Sequence, residues 1–330
     1  MNNDARLSQL KAWLEDVLQS AAFEIEVASA DASFRRYFRV QYQQQTWIAM
    51  DAPPDKENCQ PFINITKLIE TAGVQSPHIF HANIKSGFML LSDLGSNPYL
   101  DQLNINTVHH LYSDALYALH KMQNIKAELP LYDAKQLQQE MNLFNDWFLS
   151  RHLNISLHNN QQKILQNSFN FLIKQAQQQT QVFVHRDYHS RNLMVTEKNN
   201  PGVIDFQDAL IGPYTYDLVS LLKDCYISWP RHIQLRFVEQ FYNELPEKVT
   251  DLSTFIKHYD LMGLQRHIKV AGIFCRLYYR DHKNNYLNDL PLTLAYIIDV
   301  CARYDETLPL LQLLQELNIS ADKTRFETIQ

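Results

Sequence analysis

The stretch FVHRDYHSRNLMVTEKNNPGVIDFQDALIGPYTYD, Phe183 to Asp217, decides the reading of this 330-residue chain. It holds His185-Arg186-Asp187, then Asn192 five residues beyond that aspartate, then Ile204-Asp205-Phe206 thirteen residues further on. Between them the pattern runs apolar (Leu193-Met194-Val195), turn (Asn199-Asn200-Pro201-Gly202) and apolar again (Val203-Ile204). That pattern predicts two short strands joined as a hairpin. The hairpin is expected to set Asp187, Asn192 and Asp205 at one end, directed into one cleft.

Two carboxylates and an amide so spaced suit phosphoryl transfer from a nucleotide. Asp187 would orient the attacking hydroxyl and take its proton, and Asn192 and Asp205 would hold the magnesium that bridges the phosphates. The spacing matches the catalytic loop and metal-binding aspartate of the protein-kinase superfamily, with Gln207 where glycine usually closes the second motif. A lone H-x-D-x-x-x-x-N is a weak signal, and its conjunction with the second motif at hairpin distance carries the weight. The plain alternative is a loop of satisfied polar residues capping a helix.

Composition bounds the rest. Hydrophobic residues make up 45% of the chain, with 17 Tyr and 17 Phe, enough for large cores in one two-lobed domain or two ordinary ones. A formal net charge of −6 argues against a nucleic-acid binder. Cys59, Cys225, Cys275 and Cys301 show no metal or staple spacing and read as reduced thiols of a cytoplasmic protein. The amino-terminal segment has an amphipathic helical pattern without the apolar core of a signal peptide, and no stretch reaches the length of a membrane span. Composition thus gives no expectation of a nucleic-acid, membrane or obligatory protein partner. Only seven glycines occur, and none form G-x-G-x-x-G, so any phosphate-covering loop must work without that motif.

Taken in order, residues 4–20 predict a helix. Phe34 to Val40 and Trp47 to Met50 predict antiparallel strands about a turn at Gln43–Gln45. The small polar segment Ser29 to Ser33 before them lets backbone N–H groups and hydroxyls approach phosphates. An ordinary hairpin entry turn is an equal reading. A helix over 57–72 ends at Gly73, and strands follow at His78–Ile84 and Phe88–Leu91. The segment from Leu91 through Ser92 to Leu94 leaves the sheet as a hinge would, where main-chain groups can meet an adenine edge. Helices are predicted over 106–123, 133–150, 160–179, 214–226, 231–243, 252–280, 291–303 and 306–317. Asp217, near the start of one, is placed to accept backbone N–H groups of the preceding loop or to cap its own helix. On 252–280, Arg266, Lys269, Ile273, Arg276 and Arg280 share one face. Such a stripe is ordinarily solvated, and its functional counterpart is a cationic wall facing an anionic substrate. His267 reads as a packed core histidine.

These residues resemble the aminoglycoside phosphotransferase/choline-kinase branch of the kinase superfamily. HRDYHSRN and IDFQD stand where protein kinases carry HRD and DFG, and no activation loop follows. Within that branch DASFRRYFRV (31–40), MDAPP (50–54), LLSDLG (90–95), the site stretch and LQRHIKVAGIFCRLYYRD (264–281) are similar to the bacterial N-acetylmuramate/N-acetylglucosamine anomeric kinases of cell-wall recycling. The resemblance spans nearly the whole chain. It implies an α+β, protein-kinase-like two-lobed fold, with a small antiparallel-sheet lobe over 1–95 and a larger helical lobe over 96–330. It also implies ATP and magnesium as cofactors and transfer to the anomeric hydroxyl of an N-acetylated amino sugar. Asp187 would then be the base or orienter, Asn192 and Asp205 the metal ligands, and His185, Arg186 and Asp217 supports of the loop. On the nucleotide side the candidates are Ser29, Ser33, Arg35, Lys56, Ser92 and Leu94; on the substrate side, Arg266, Lys269, Arg276 and Asp208.

One departure stands out. Trp47-Ile48-Ala49-Met50-Asp51 occupies the place of V-A-I-K, so the usual strand lysine is missing, and Lys56, Arg35, Arg36 or Arg39 must supply the phosphate-facing charge. Three alternatives compete with the sugar kinase. One is a kinase for an aminoglycoside, homoserine, choline or methylthioribose. Another is a nucleotide-binding pseudoenzyme, motivated by the missing lysine and glycines. The third is a metal-dependent hydrolase built on His185, Asp187, His189 and Asp205.

Overall fold

The computed structural model describes residues 4–30 and 34–320. Packing divides the chain into two compact units, one of Met1–Asn97 with Met194–Asp208, the other of Pro98–Leu193 with Ala209–Gln330.

The first unit opens with α1 (Ala5–Leu18), capped by the Asp4 side chain accepting the Leu7 N–H at 3.0 Å. There follow β1 (Glu24–Ala30), β2 (Arg36–Tyr42), β3 (Gln45–Asp51), α2 (Cys59–Thr71), β4 (Ile79–Asn83) and β5 (Phe88–Ser92). The strands form one antiparallel sheet ordered β1-β2-β3-β5-β4. Leu10 and Leu14 of α1 pack on Phe38, Val40, Ala49, Phe88 and Leu90 of the sheet, a period-two selection of inward residues. The β2–β3 turn has two residues, Gln43 and Gln44, at φ 49° and 64°. That is the two-positive-φ turn whose twist matches a hairpin, here built without glycine. The sheet has one strand more than the four expected. Its edge strand β1, Glu-Ile-Glu-Val-Ala-Ser-Ala, is short on bulky apolar residues and so reads faintly in the sequence. Ser29 and Ala30 pair within it, opposite Tyr37 and Arg36. The rest of the expected phosphate-approaching loop, including Ser33, lies outside the described residues.

The second unit begins with α3 (Tyr99–Gln102), α4 (Val108–Gln123), α5 (Ala134–Leu143), a π-helical segment Phe144–His152, and α6 (Asn159–Gln177). β6 (Gln181–Val184) leads into the motif stretch. The chain then passes through the paired strands β7 (Leu193–Met194) and β8 (Gly202–Val203), the expected hairpin. It returns as β9 (Leu210–Pro213), antiparallel to β6. The helices α7 (Tyr216–Leu222), α8 (Arg231–Glu244), α9 (Leu252–Asp281), α10 (Leu290–Cys301) and α11 (Leu308–Glu316) complete it.

The 30-residue α9 is the spine, packed against α5, α6, α7, α8, α10 and the π-helical segment. Its stretch from Tyr259 to Gly272 is buried throughout. The single helix expected over 133–150 instead changes pitch after Leu143. There α9 crosses at Gly272, close enough that a Cβ on that glycine would sit 2.3 Å from the Leu143 carbonyl carbon. Gly272→Ala therefore forces backbone apart. It is expected to destabilise the fold by about 1–3 kcal/mol or more, read as a lowered urea midpoint.

One carboxylate at the centre of the second unit, Asp260 on α9, is fully buried with three donors. Lys223 Nζ reaches it at 2.9 Å, Arg231 at 2.9 and 2.7 Å, and the Tyr304 hydroxyl at 2.8 Å. Burial pushes its pKa up, but Lys223 and Arg231 outweigh that and hold it well below the ordinary carboxylate range. Burial lowers the pKa of the Lys223 amine, with nearby Arg231 adding to the effect and Asp260 opposing it. A depressed carboxyl contributes stability above its unfolded pKa and loses it as pH falls through the folded value. Asp260→Asn is expected to cost about 3–5 kcal/mol at neutral pH. The gap between variant and parent should close as urea titrations are repeated below pH 4, and a constant gap would contradict the ion-pair account.

Candidate active site

In the second unit the loop His185–Asn192 is held at both ends by buried carboxylates. Asp217, in the first turn of α7, accepts the His185 N–H at 2.7 Å and the Arg186 N–H at 3.0 Å. Burial pushes its pKa up to about 7, against the pull of those two donors. Asp224, just past α7, accepts the Ser190 N–H at 2.9 Å, the Ser190 hydroxyl and the Tyr226 N–H at 3.1 Å. The buried Tyr188 anchors the middle by donating to the Ala115 carbonyl at 2.8 Å. Inside the loop, the Asp187 carbonyl accepts the Asn192 side-chain amide at 3.0 Å and the His189 N–H at 3.0 Å. This closes the loop about Asp187 and directs the amide nitrogen of Asn192 inward. His185 is fully buried, and its Nδ1 accepts the Asp187 N–H at 3.2 Å. Arg186 has φ 79°, a left-handed conformation rare for a side-chain-bearing residue and enriched at functional sites.

Around Asp187 stands a cluster of charge. Glu140 of α5 binds Arg186, the Tyr132 hydroxyl and Lys269 Nζ, the last at 3.3 Å. Lys269 also donates to the Tyr216 hydroxyl at 3.1 Å. Arg266 lies one turn back on α9, 3.7 Å from Cys225 Sγ. Burial raises the Asp187 carboxyl, but Lys269, His189, Arg186 and Arg266 overcome it and hold the group below its ordinary value. Burial likewise opposes the ammonium of Lys269, and Tyr216, Glu140 and Asp187 reverse the effect, so its pKa is raised. The stripe on α9 is thus not a solvated face. Arg266 and Lys269 are 4% and 7% exposed, and only Arg280 reaches open water. Arg276 is half-buried. His267 is the expected core histidine, with Nε2 2.9 Å from the Lys223 carbonyl oxygen.

In the first unit Asp205 follows β8 at φ 62° and accepts the Gln207 amide at 2.8 Å. Phe206 between them is buried and stacks on Phe62 of α2 at 5.0 Å. Asp208 is exposed. The three arginines weighed as replacements for the strand lysine are paired. Arg35 meets Glu57 at 2.8 Å, Arg39 meets Asp93 at 2.7 Å, and Arg36 bridges Asp4 and Asp51. At the strand position itself the sign is reversed, because Asp51 is a buried carboxylate clasped by Arg6 and Arg36. Lys56 is exposed, 3.9 Å from Asp55 and over the Phe34 ring. Ser92 at the end of β5 pairs with His78 through backbone and hydroxyl, and Leu94 lies against Gly202. The side-chain carbonyl oxygen of Asn192 and the carboxylate of Asp205 are each a hard oxygen donor of the kind magnesium takes. Among the described residues no group of three or more His, Cys, Asp or Glu is placed to hold a metal ion.

Residues 24–250 match the APH model of the phosphotransferase enzyme family, and the chain belongs to that family. It is 41% identical, over 98% of its own length and 100% of the relative's, to the N-acetylmuramate/N-acetylglucosamine kinase of Pseudomonas aeruginosa. Its fold is that of the ADP-bound aminoglycoside phosphotransferase APH(2'')-Ib, with TM-score 0.61 at 14% identity, covering 90% of this chain and 99% of that one. It is equally that of a choline kinase of Streptococcus pneumoniae, with TM-score 0.63 at 9% identity, covering 89% and 99%. The protein-kinase-like α+β fold expected from the sequence is therefore present, and the chain is a phosphotransferase. No helix among the described residues is long and apolar enough to cross a membrane.

Two residues of the loop's support escaped the sequence reading. Glu140 sits in an unremarkable helical run 46 residues before Arg186, with no local signal. Asp224 follows Lys223 and reads as half of a surface pair, although its seven-residue spacing from Asp217 was available as a hint. Asp224→Ala leaves two backbone N–H groups without their acceptor, and is expected to cost about 2–3 kcal/mol; Ser190→Ala loses one hydroxyl bond and about 1 kcal/mol. Urea midpoints of the two variants in the wrong order would show that Asp224 is not the loop's anchor.

Proposed function

We propose that this protein transfers the terminal phosphate of ATP to the anomeric hydroxyl of N-acetylmuramate or N-acetylglucosamine, in the cytoplasmic recycling of cell-wall sugars. The observation that carries the reading is the 41% identity, over essentially both whole chains, to a relative named for those two sugars. The four buried cysteine thiols, none in a disulfide, are in keeping with a reducing compartment.

The chemistry asked of the residues is modest. An anomeric hydroxyl is more acidic than an ordinary alcohol, so a carboxylate of low basicity suffices to orient it and receive its proton. Asp187, kept ionised by surrounding cations, suits that task. By the motif, Asn192 and Asp205 would hold magnesium, which when bound neutralises charge on the nucleotide phosphates. His185 and Arg186 act through the loop, one as a buried strut beneath Asp187, the other by joining the loop to Glu140. On the nucleotide side, backbone at Ser29, Ser33, Ser92 and Leu94 would contact ATP, and Arg35 and Lys56 would supply charge. Asp208 would meet the sugar's hydroxyls.

The test is phosphorus NMR of the product from ATP, magnesium and a panel of N-acetylmuramate, N-acetylglucosamine, kanamycin and homoserine. A product phosphate split by the anomeric proton is expected with the amino sugars. Asp187→Asn should reduce kcat by about 10²–10⁴-fold. Transfer to kanamycin or homoserine alone would move the substrate class. Bound ATP with no transfer to any acceptor would make the chain a pseudoenzyme.

A further inference from the structure

We propose that Arg276 recognises the carboxylate of N-acetylmuramate and is the residue that distinguishes this acid sugar from neutral N-acetylglucosamine; the inference rests on the sugar-kinase reading above.

The two sugars differ at C3, where N-acetylmuramate carries a lactyl ether ending in a carboxylate. A chain that accepts both must offer that anion a cation without making it indispensable. Three cations on one face of α9 stand as candidates, and their surroundings separate them. Lys269 is committed to Glu140 and Tyr216 and is the strongest positive charge acting on Asp187. Arg266 is deeply buried among Cys225, Tyr216, Asp187 and Asp224. Both belong to the chemistry at the loop.

Arg276 differs. Among the described residues it enters no hydrogen bond or ion pair, and its Nε is buried with no acceptor. Such an orphaned donor is uncommon, because a buried polar group without a partner forfeits its hydration. The two carboxylates whose charge it feels are already taken. Asp281 is bound through both oxygens to Arg280 at 2.8 and 2.9 Å, and Glu140 is held by Arg186, Tyr132 and Lys269. Burial and the neighbouring Arg280 both work against the charge on Arg276, a state that an external anion would relieve.

Position agrees. Arg276 lies seven residues after Lys269, which brings it back to the same face of α9 about 10 Å along the axis. In the proposed pose the C1 hydroxyl is set at Asp187, beside Lys269, and the C3 substituent toward Arg276. Between Lys269 and Arg276 on that face lie Gly272, packed against Leu143, and the half-buried Ile273. A guanidinium there can pair with a carboxylate through two parallel N–H donors.

The experiment measures kcat/KM for N-acetylmuramate and for N-acetylglucosamine in the full-length parent and in Arg276→Ala, Arg276→Gln and Arg276→Lys. The ratio of acid to neutral sugar is expected to fall about 10- to 100-fold in the Ala and Gln variants, the usual worth of a hydrogen bond to a charged group. The loss should appear in KM, with Lys restoring part of it. The neutral sugar reports on folding within each variant, and Gln keeps most of the volume if Ala is poorly stable. A ratio within twofold of the parent in all three variants overturns the inference, including the case where both sugars lose activity together. A parent that phosphorylates neither sugar overturns the underlying function first, before any variant is compared.

Discussion

Two buried carboxylates, Asp217 in the first turn of α7 and Asp224 just past its end, fix the loop His185–Asn192. A carboxylate removed from water is costly unless its oxygens are filled by donors. Here the donors are backbone N–H groups of the loop, so the cost of burying the charge becomes a restraint on loop geometry. Between them the two anchors fix His185, Arg186 and Ser190. With both ends tied, Arg186 can persist at φ 79°, a conformation that a loosely held loop would relax. The Asp187 carbonyl is then available to order the Asn192 amide. The restraint is carried by main-chain atoms, which explains why residues as different as Arg186 and His189 can occupy the loop.

The second constraint is the charge cluster around Glu140. An isolated buried lysine tends to lose its proton, and an isolated buried arginine, which keeps its charge, is costly without a counter-ion. A shared carboxylate lets Arg186 and Lys269 remain ionised next to Asp187. Each cation thereby serves two anions, so removing Glu140 would strand both cations and also change the field at Asp187. Networks of this kind resist pairwise accounting.

What the sequence disclosed follows from how local each signal is. The loop His185–Asn192 and the Asp205 motif lie close together in sequence, bounded by apolar strands, and were legible for that reason. Helices with a clear apolar period, α1, α4, α6 and α9, were legible for the same reason. The edge strand β1 was not, because its one-sided burial rests on Ile25 and small residues. The change of pitch after Leu143 was not, because the residue packed against it there, Gly272 of α9, lies more than a hundred residues away in sequence. Glu140 is the extreme case, since nothing in a glutamate within a helix announces two cations 46 and 129 residues later. The stripe on α9 was visible as a pattern, but whether a cation is solvated or buried depends on what packs over it.

The strand that usually supplies a lysine shows how charge can be conserved in sum while reversed in place. Asp51 occupies the buried end of β3 and gathers Arg6 from α1 and Arg36 from β2. This triad ties the amino-terminal helix to the sheet, a structural task that a lysine there would oppose by repelling both arginines. That position is given over to an anion, and Arg35 and Arg39 share their charge with Glu57 and Asp93. The second unit, by contrast, concentrates Arg186, Arg266 and Lys269 on a single carboxylate loop. In a transfer reaction the protein's main duty is to place positive charge where negative charge accumulates. In this chain buried positive charge is gathered on α9, where Arg266 and Lys269 act on the Asp187 carboxylate.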